Sequence, residues 1–122
     1  MILMLQSHIL DTDTEDIYRL LFRLGGNFTR HGFYYTAEAL LLCIQQPDRL
    51  LLITKWVYPI VAKAHHTGWQ TVESNIRSFI DLVWKTNPAL LMELAPYPLL
   101  RRPTPKQFLT IIIASLQQDR AG

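Results

Sequence analysis

Residues 59–84, PIVAKAHHTGWQTVESNIRSFIDLVW, read as a short helix, a tight polar turn and a longer amphipathic helix. Pro59 suits a first helical turn, where no backbone donor is needed and its fixed φ is already helical. Ile60, Val61 and Ala64 are then expected to face inward and Lys63 outward. Gly68 breaks the run, and Thr71 offers a side-chain oxygen to cap the second helix. From Val72 onward the apolar positions Ile76, Phe79, Ile80, Val83 and Trp84 are spaced as on one buried helical stripe. Gln70, Glu73, Ser74, Arg77 and Asp81 are left on the opposite face. This order is the grammar of a helix-turn-helix, whose second helix lies in the DNA major groove. Many helical domains also join two helices through a glycine turn without binding DNA, so the pattern alone leaves an interaction module open.

Composition narrows the alternatives. At 122 residues, nearly half of them apolar, the chain is expected to form one domain with a substantial core. Its single cysteine, Cys43, excludes an internal disulfide and a multi-cysteine metal site. Set within LLLCI on a helix, it is expected to be a buried, inert thiol. His65 and His66 are adjacent and so point apart on a helix, and no Cys or carboxylate nearby completes a metal site. No glycine-rich phosphate loop, nucleophile elbow or framed carboxylate pair is present, so neither an enzyme nor a cofactor is expected. No apolar run reaches membrane-spanning length, and MILMLQSHIL lacks a basic leader, so a cytoplasmic location is the expectation.

The net charge of +2 is modest for a nucleic-acid-binding domain, and its distribution says more than its size. Acids gather early, at Asp11, Asp13, Glu15 and Asp16, where they read as the acidic first turn of a helix. Cations come later at Lys55, Lys63 and Arg77 with the two histidines, and again at Arg101, Arg102 and Lys106. One basic face fits this polarity.

The periodicity predicts an all-α fold, a compact multi-helix bundle containing the helix-turn-helix. A first helix is expected over 13–24, with Ile17, Leu20, Leu21 and Leu24 on one face and Gly25-Gly26 closing it. After the loop GNFTRHG, a second helix is expected over 33–45, with Ala37, Leu40, Leu41 and Ile44 inward. A third starts at Pro47-Asp48 and holds Leu51, Leu52, Ile53 and Trp56. The helix-turn-helix comes next, its second helix over 70–85. A brief helical piece, ALLMEL, and a proline-rich connection lead to a last helix from Thr104, carrying Phe108, Ile111, Ile112 and Leu116. Residues 1–10 read as a lead and 11–122 as the domain. Phe33, Tyr34 and Tyr35 are expected in the core.

The segments GFYYTAEALLL, ITKWVYPIVAKAH, VESNIRSFIDLVW and RPTPKQFLTIIIASL stand in an order that resembles the C-terminal effector domain of the sporulation stage-zero response regulator family. The matching positions are Gly32, Phe33, Tyr35, Ala37 and Ala39, then Ile53, Thr54, Lys55, Tyr58, Pro59, Ile60, Ala62 and Lys63. They continue with Val72, Glu73, Ile76, Arg77, Ile80, Trp84, Pro103, Thr104 and Phe108. The likeness spans about 15–118 and is colinear across separated segments. Full-length members carry an N-terminal receiver domain for which 122 residues leave no room, so a free-standing relative switched without its own phosphorylation is expected.

The resemblance implies a sequence-specific DNA-binding regulator that contacts double-stranded DNA as a weak homodimer on tandem boxes. A full-length regulator or the transcription machinery is a further implied partner. Gln70, Glu73, Ser74 and Arg77 are then the base-reading candidates. An arginine at position 77 is able to hold a guanine through two hydrogen bonds, and family positions matching Glu73 and Arg77 touch DNA. Thr71 and Ser74 stand where well-known members place arginines, which points to an altered or relaxed target. Lys55, Lys63, His65, His66, Arg101, Arg102 and Lys106 are candidate phosphate contacts, which position the protein without reading sequence. The rival reading is a helical interaction module that kept the fold, lost DNA binding and docks through the last helix or the Trp56/Trp69 region.

Overall fold

The computed structural model describes residues 2–25 and 30–121, with side chains over 13–25 and 30–118. Seven α-helices are described: α1 (Ile2–Arg23), α2 (His31–Gln45), α3 (Ile53–Trp56), α4 (Tyr58–Ala64), α5 (Trp69–Thr86), α6 (Pro88–Leu94) and α7 (Pro105–Ala121). A 3₁₀ helix over Pro47–Leu52 joins α2 to α3. The fold is all-α, with no strand among the described residues.

Helix α2 is the hub, packed on α1, α4, α5 and α7. Its face of Phe33, Thr36, Ala39, Leu40 and Cys43 has no solvent exposure. Phe33 meets Tyr18 of α1 at 5.4 Å and Phe79 of α5 at 6.1 Å, and Phe79 meets Phe108 of α7 at 6.2 Å between ring centres. Edge and tilted contacts of this kind suit the ring quadrupoles and tie four helices into one core. Phe33 and Tyr35 are therefore core residues, as expected. Cys43 is fully buried, and that burial pushes its thiol pKa up to about 11, so the inert reading of this residue holds.

The last helix shows why a β-branched run folds this way. Thr104 and Gln107 form a reciprocal capping box: the Thr104 N–H donates to Gln107 Oε1 at 2.9 Å, and the Gln107 N–H donates to Thr104 Oγ1 at 3.2 Å. Pro105 occupies the first helical position, where its missing donor does no harm. Phe108, Leu109, Ile111, Ile112, Ile113 and Leu116 are all buried, leaving a narrow exposed strip at Lys106, Gln107, Thr110, Ala114 and Gln117. Burial on this scale outweighs the small propensity penalty of three isoleucines.

Several expectations need correction. Helix α1 begins at Ile2, so Asp13, Glu15 and Asp16 lie within it and do not form an acidic first turn. Asp13 is itself buried; the side chain of Asp11 and residues 26–29, including Gly26, lie outside the described set. The expected third helix is split. Pro47–Leu52 is a 3₁₀ turn with no buried residue, Leu51 and Leu52 are exposed, and only four residues of α3 come after it. A 3₁₀ helix stacks side chains every third residue, so the 3.6-residue stripe read from the sequence never forms. In α4, Val61 and Ala62 are buried with Tyr58, whereas Ile60 and Ala64 face solvent.

Candidate nucleic-acid interface

The turn between α4 and α5 is built by hydrogen bonds and one unusual dihedral. The Thr67 N–H reaches back to the Ala62 carbonyl at 3.0 Å, and the His66 N–H reaches the Lys63 carbonyl at 3.4 Å. This pairing closes the end of α4 and satisfies two of its terminal carbonyls. It requires a left-handed residue, and His66 supplies it with φ +54°. Gly68 is extended at φ −91°, ψ 156° and is the N-cap of α5. Thus His66, not Gly68, turns the chain. Thr71 sits inside the first turn of α5 and does not cap it, because the helix starts three residues earlier than a threonine cap requires.

Helix α5 divides cleanly. Val72, Ile76, Phe79, Ile80 and Val83 are buried, and Trp84 packs half-buried against the same core. The helix covers Trp69–Thr86, one residue beyond the expected 70–85 at each end. Its outer face forms an open groove of about 660 Å³ that brings Gln70, Glu73, Ser74 and Arg77 together with Trp69, Ser78, Asp81 and Lys85. Arg30, just before α2, and Arg102, from the connection before α7, also line it.

Two ion-pair systems organise this surface. Arg77 Nε donates to Glu73 Oε1 at 3.1 Å, one turn apart on α5. The Arg77 side chain is more than half exposed, so the pair contributes only a few tenths of a kcal/mol and is readily exchanged for a ligand. Beneath it lies Tyr58, whose pKa is pushed up to about 12, first by burial and then by the charge of Glu73, with Arg77 opposing. Farther along, Asp81 holds two cations: Lys85 Nζ at 2.9 Å on one carboxylate oxygen and Arg102 Nη1 at 3.0 Å on the other. Those bonds, led by the one from Lys85, lower the pKa of Asp81.

The remaining candidates scatter. His65 Nε2 lies 2.8 Å from Glu38 Oε1, and its ring meets Tyr35 edge-on at 5.0 Å, so it braces the turn against α2. His65, a candidate phosphate contact, thus has a partner within the protein and keeps about a third of its side chain exposed. Lys55 lines a second groove with Gln45, Pro47, Trp56 and Ile60, away from the α5 face. Lys63, His66, Arg101 and Lys106 are exposed. The sequence reading missed Arg30, Lys85 and the pairing of Asp81. Spacing of four residues was a signal for Asp81 with Lys85, whereas nothing local joins Asp81 to Arg102, 21 positions away.

No group of three metal-ligating side chains converges among the described residues, and no described helix is long and apolar enough to cross a membrane. Comparison with known families places the chain. The family model described as "Sporulation initiation factor Spo0A C terminal" matches residues 17–116.

Proposed function

This chain belongs to the sporulation initiation factor Spo0A C-terminal family, and from that premise we propose a sequence-specific regulator that lays α5 in the major groove of double-stranded DNA. The family is one of DNA-binding effector domains and is not an enzyme family. Arg77 and Glu73 read base edges, Arg77 by a bidentate pair to guanine and Glu73 by orienting it or accepting from a cytosine. Gln70 and Ser74 flank them, and Arg102, Lys63, His66, Arg101 and Lys106 are the phosphate contacts. Two copies on tandem boxes complete the assembly.

The observation that carries this reading is the division of α5. Five apolar side chains fix one face in the core while the opposite face presents a continuous row of hydrogen-bonding groups. Its first turn carries no side-chain cap, which leaves backbone N–H groups for a phosphate. The interaction-module reading is supported instead by Leu51, Leu52, Trp56 and Ile60, which are exposed on the 3₁₀–α3–α4 segment. Helix α7 does not serve that reading, because its apolar face is buried in this chain's own core.

Fluorescence anisotropy tests the proposal with a duplex bearing the family's box and a scrambled duplex, at several salt concentrations. The expected result is preference for the box and a loss of about 1–3 kcal/mol of that preference in Arg77→Ala. Absence of duplex binding at low salt, where phosphate attraction is strongest, would sink it.

A further inference from the structure

The groove on α5 contains a carboxylate where DNA-binding surfaces gain from cations. Asp81 shares the row of Gln70, Ser74 and Arg77, and each of its oxygens is occupied by a cation, Lys85 or Arg102. Arg102 arrives from outside the helix, on a proline-flanked connection with no helical hydrogen bonding of its own. Its hydrogen bond to Asp81 joins that connection to α5. Both cationic side chains stay open to solvent, Lys85 at 73% and Arg102 at 48%, so a phosphate has access to them.

We propose that Asp81 is a built-in competitor for DNA phosphate: it holds Arg102 and Lys85 in the free protein and limits sequence-independent binding. The proposal rests on the DNA-binding reading of the α5 groove. A carboxylate oxygen offers these donors the same charged acceptor chemistry as a phosphate oxygen. A DNA backbone must therefore share Arg102 or Lys85 with an existing partner or displace it, and it meets a repelling charge as it does so. Phosphate contacts carry no sequence information, so holding them back weakens binding to every duplex alike. Base contacts from Arg77 and Glu73 are untouched, and their share of the total binding energy rises. Asp81 on this view sets how tightly the protein holds any duplex, not which bases it selects.

The test is Asp81→Asn, which keeps the shape of the side chain and removes its charge. Glu15→Gln serves as the control, since it makes the same charge change at an exposed position on α1 outside the groove. One additional neutralised phosphate steepens the log–log salt slope by about 0.9, which corresponds to roughly eightfold tighter binding at 0.1 M than at 1 M salt. Asp81→Asn should therefore bind box and scrambled duplexes about three- to tenfold more tightly at 0.1 M salt. Its slope should be steeper by close to one unit, and its preference for the box no greater than before. Unchanged or weaker binding in Asp81→Asn, or the same gain in Glu15→Gln, would overturn the proposal.

Elution from immobilised heparin gives a readout that survives failure of the DNA reading. Heparin offers sulfates and carboxylates without base edges, so a later elution of Asp81→Asn than of parent and Glu15→Gln supports the competitor even if no duplex is bound. Coincident elution of all three counts against it. If the parent fails on DNA while the heparin shift is present, the regulatory reading has failed and the competitor has not.

Discussion

Gly32→Ala sets two effects of opposite sign against each other, and the structure decides between them. Gly32 is the second residue of α2, where α2 crosses α5. A methyl group built there would stand 2.6 Å from the Asn75 backbone oxygen and 3.2 Å from Cβ of Phe79. Alanine in place of glycine should gain up to about 1 kcal/mol from helix propensity, and less than that so close to the helix start. Against it, the obstacle is a backbone oxygen inside a helix, which has no rotamer to move aside. The two helices must part by roughly half an ångström, and overpacking of this kind costs about 1–3 kcal/mol. The net expectation is a destabilisation of about 1–2 kcal/mol. With a urea dependence of about 1.5–2 kcal/mol/M, the unfolding midpoint should fall by about 0.5–1 M. Duplex affinity should fall with it, because Asn75 lies between Ser74 and Arg77. An unfolding midpoint equal to or above that of the parent would refute the reasoning, since propensity would then have won over a crossing too loose to resist a methyl group.

Other substitutions probe single features. His66→Gly relieves a left-handed conformation costing about 1–2 kcal/mol, offset in part by the unfolded-state freedom of glycine, so thermal unfolding should show a net gain of about 0.5–1 kcal/mol. A loss of stability would mean that the imidazole does more for the turn than its exposure suggests. Thr36→Val removes a buried hydroxyl that has no hydrogen-bond partner among the described residues and should stabilise by about 1 kcal/mol in urea unfolding. Destabilisation there would show that the hydroxyl is satisfied after all.

The features legible in the sequence were periodic or local. The buried stripe of α5 repeats every three or four residues, so Val72, Ile76, Phe79, Ile80 and Val83 announced both the helix and its outward face. The capped start of α7 was equally readable, because Thr104 and Gln107 act within one turn. Illegible features joined distant positions or broke the helical period. The contact of His65 with Glu38 spans 27 positions, and that of Arg102 with Asp81 runs through a connection with no periodicity. Helix α1 begins before the acidic cluster because acids that resemble a first turn are also tolerated inside a long helix. At Pro47–Leu52 a leucine run that fits an α-helix is drawn into a 3₁₀ turn, tied back by Arg49 Nη1 on the Leu42 carbonyl at 3.0 Å.

The hub position of α2 has a consequence for how such a protein changes its target. The helix proposed to face DNA, α5, is also a wall of the core, so it cannot swivel to a new docking angle without unfolding the domain around it. Its amides should exchange with solvent only as fast as the whole molecule opens. New binding preferences are therefore open to this architecture through side-chain replacement along 70, 73, 74 and 77. The serine at position 74 marks one place where that surface is free to be rewritten while the scaffold stays fixed.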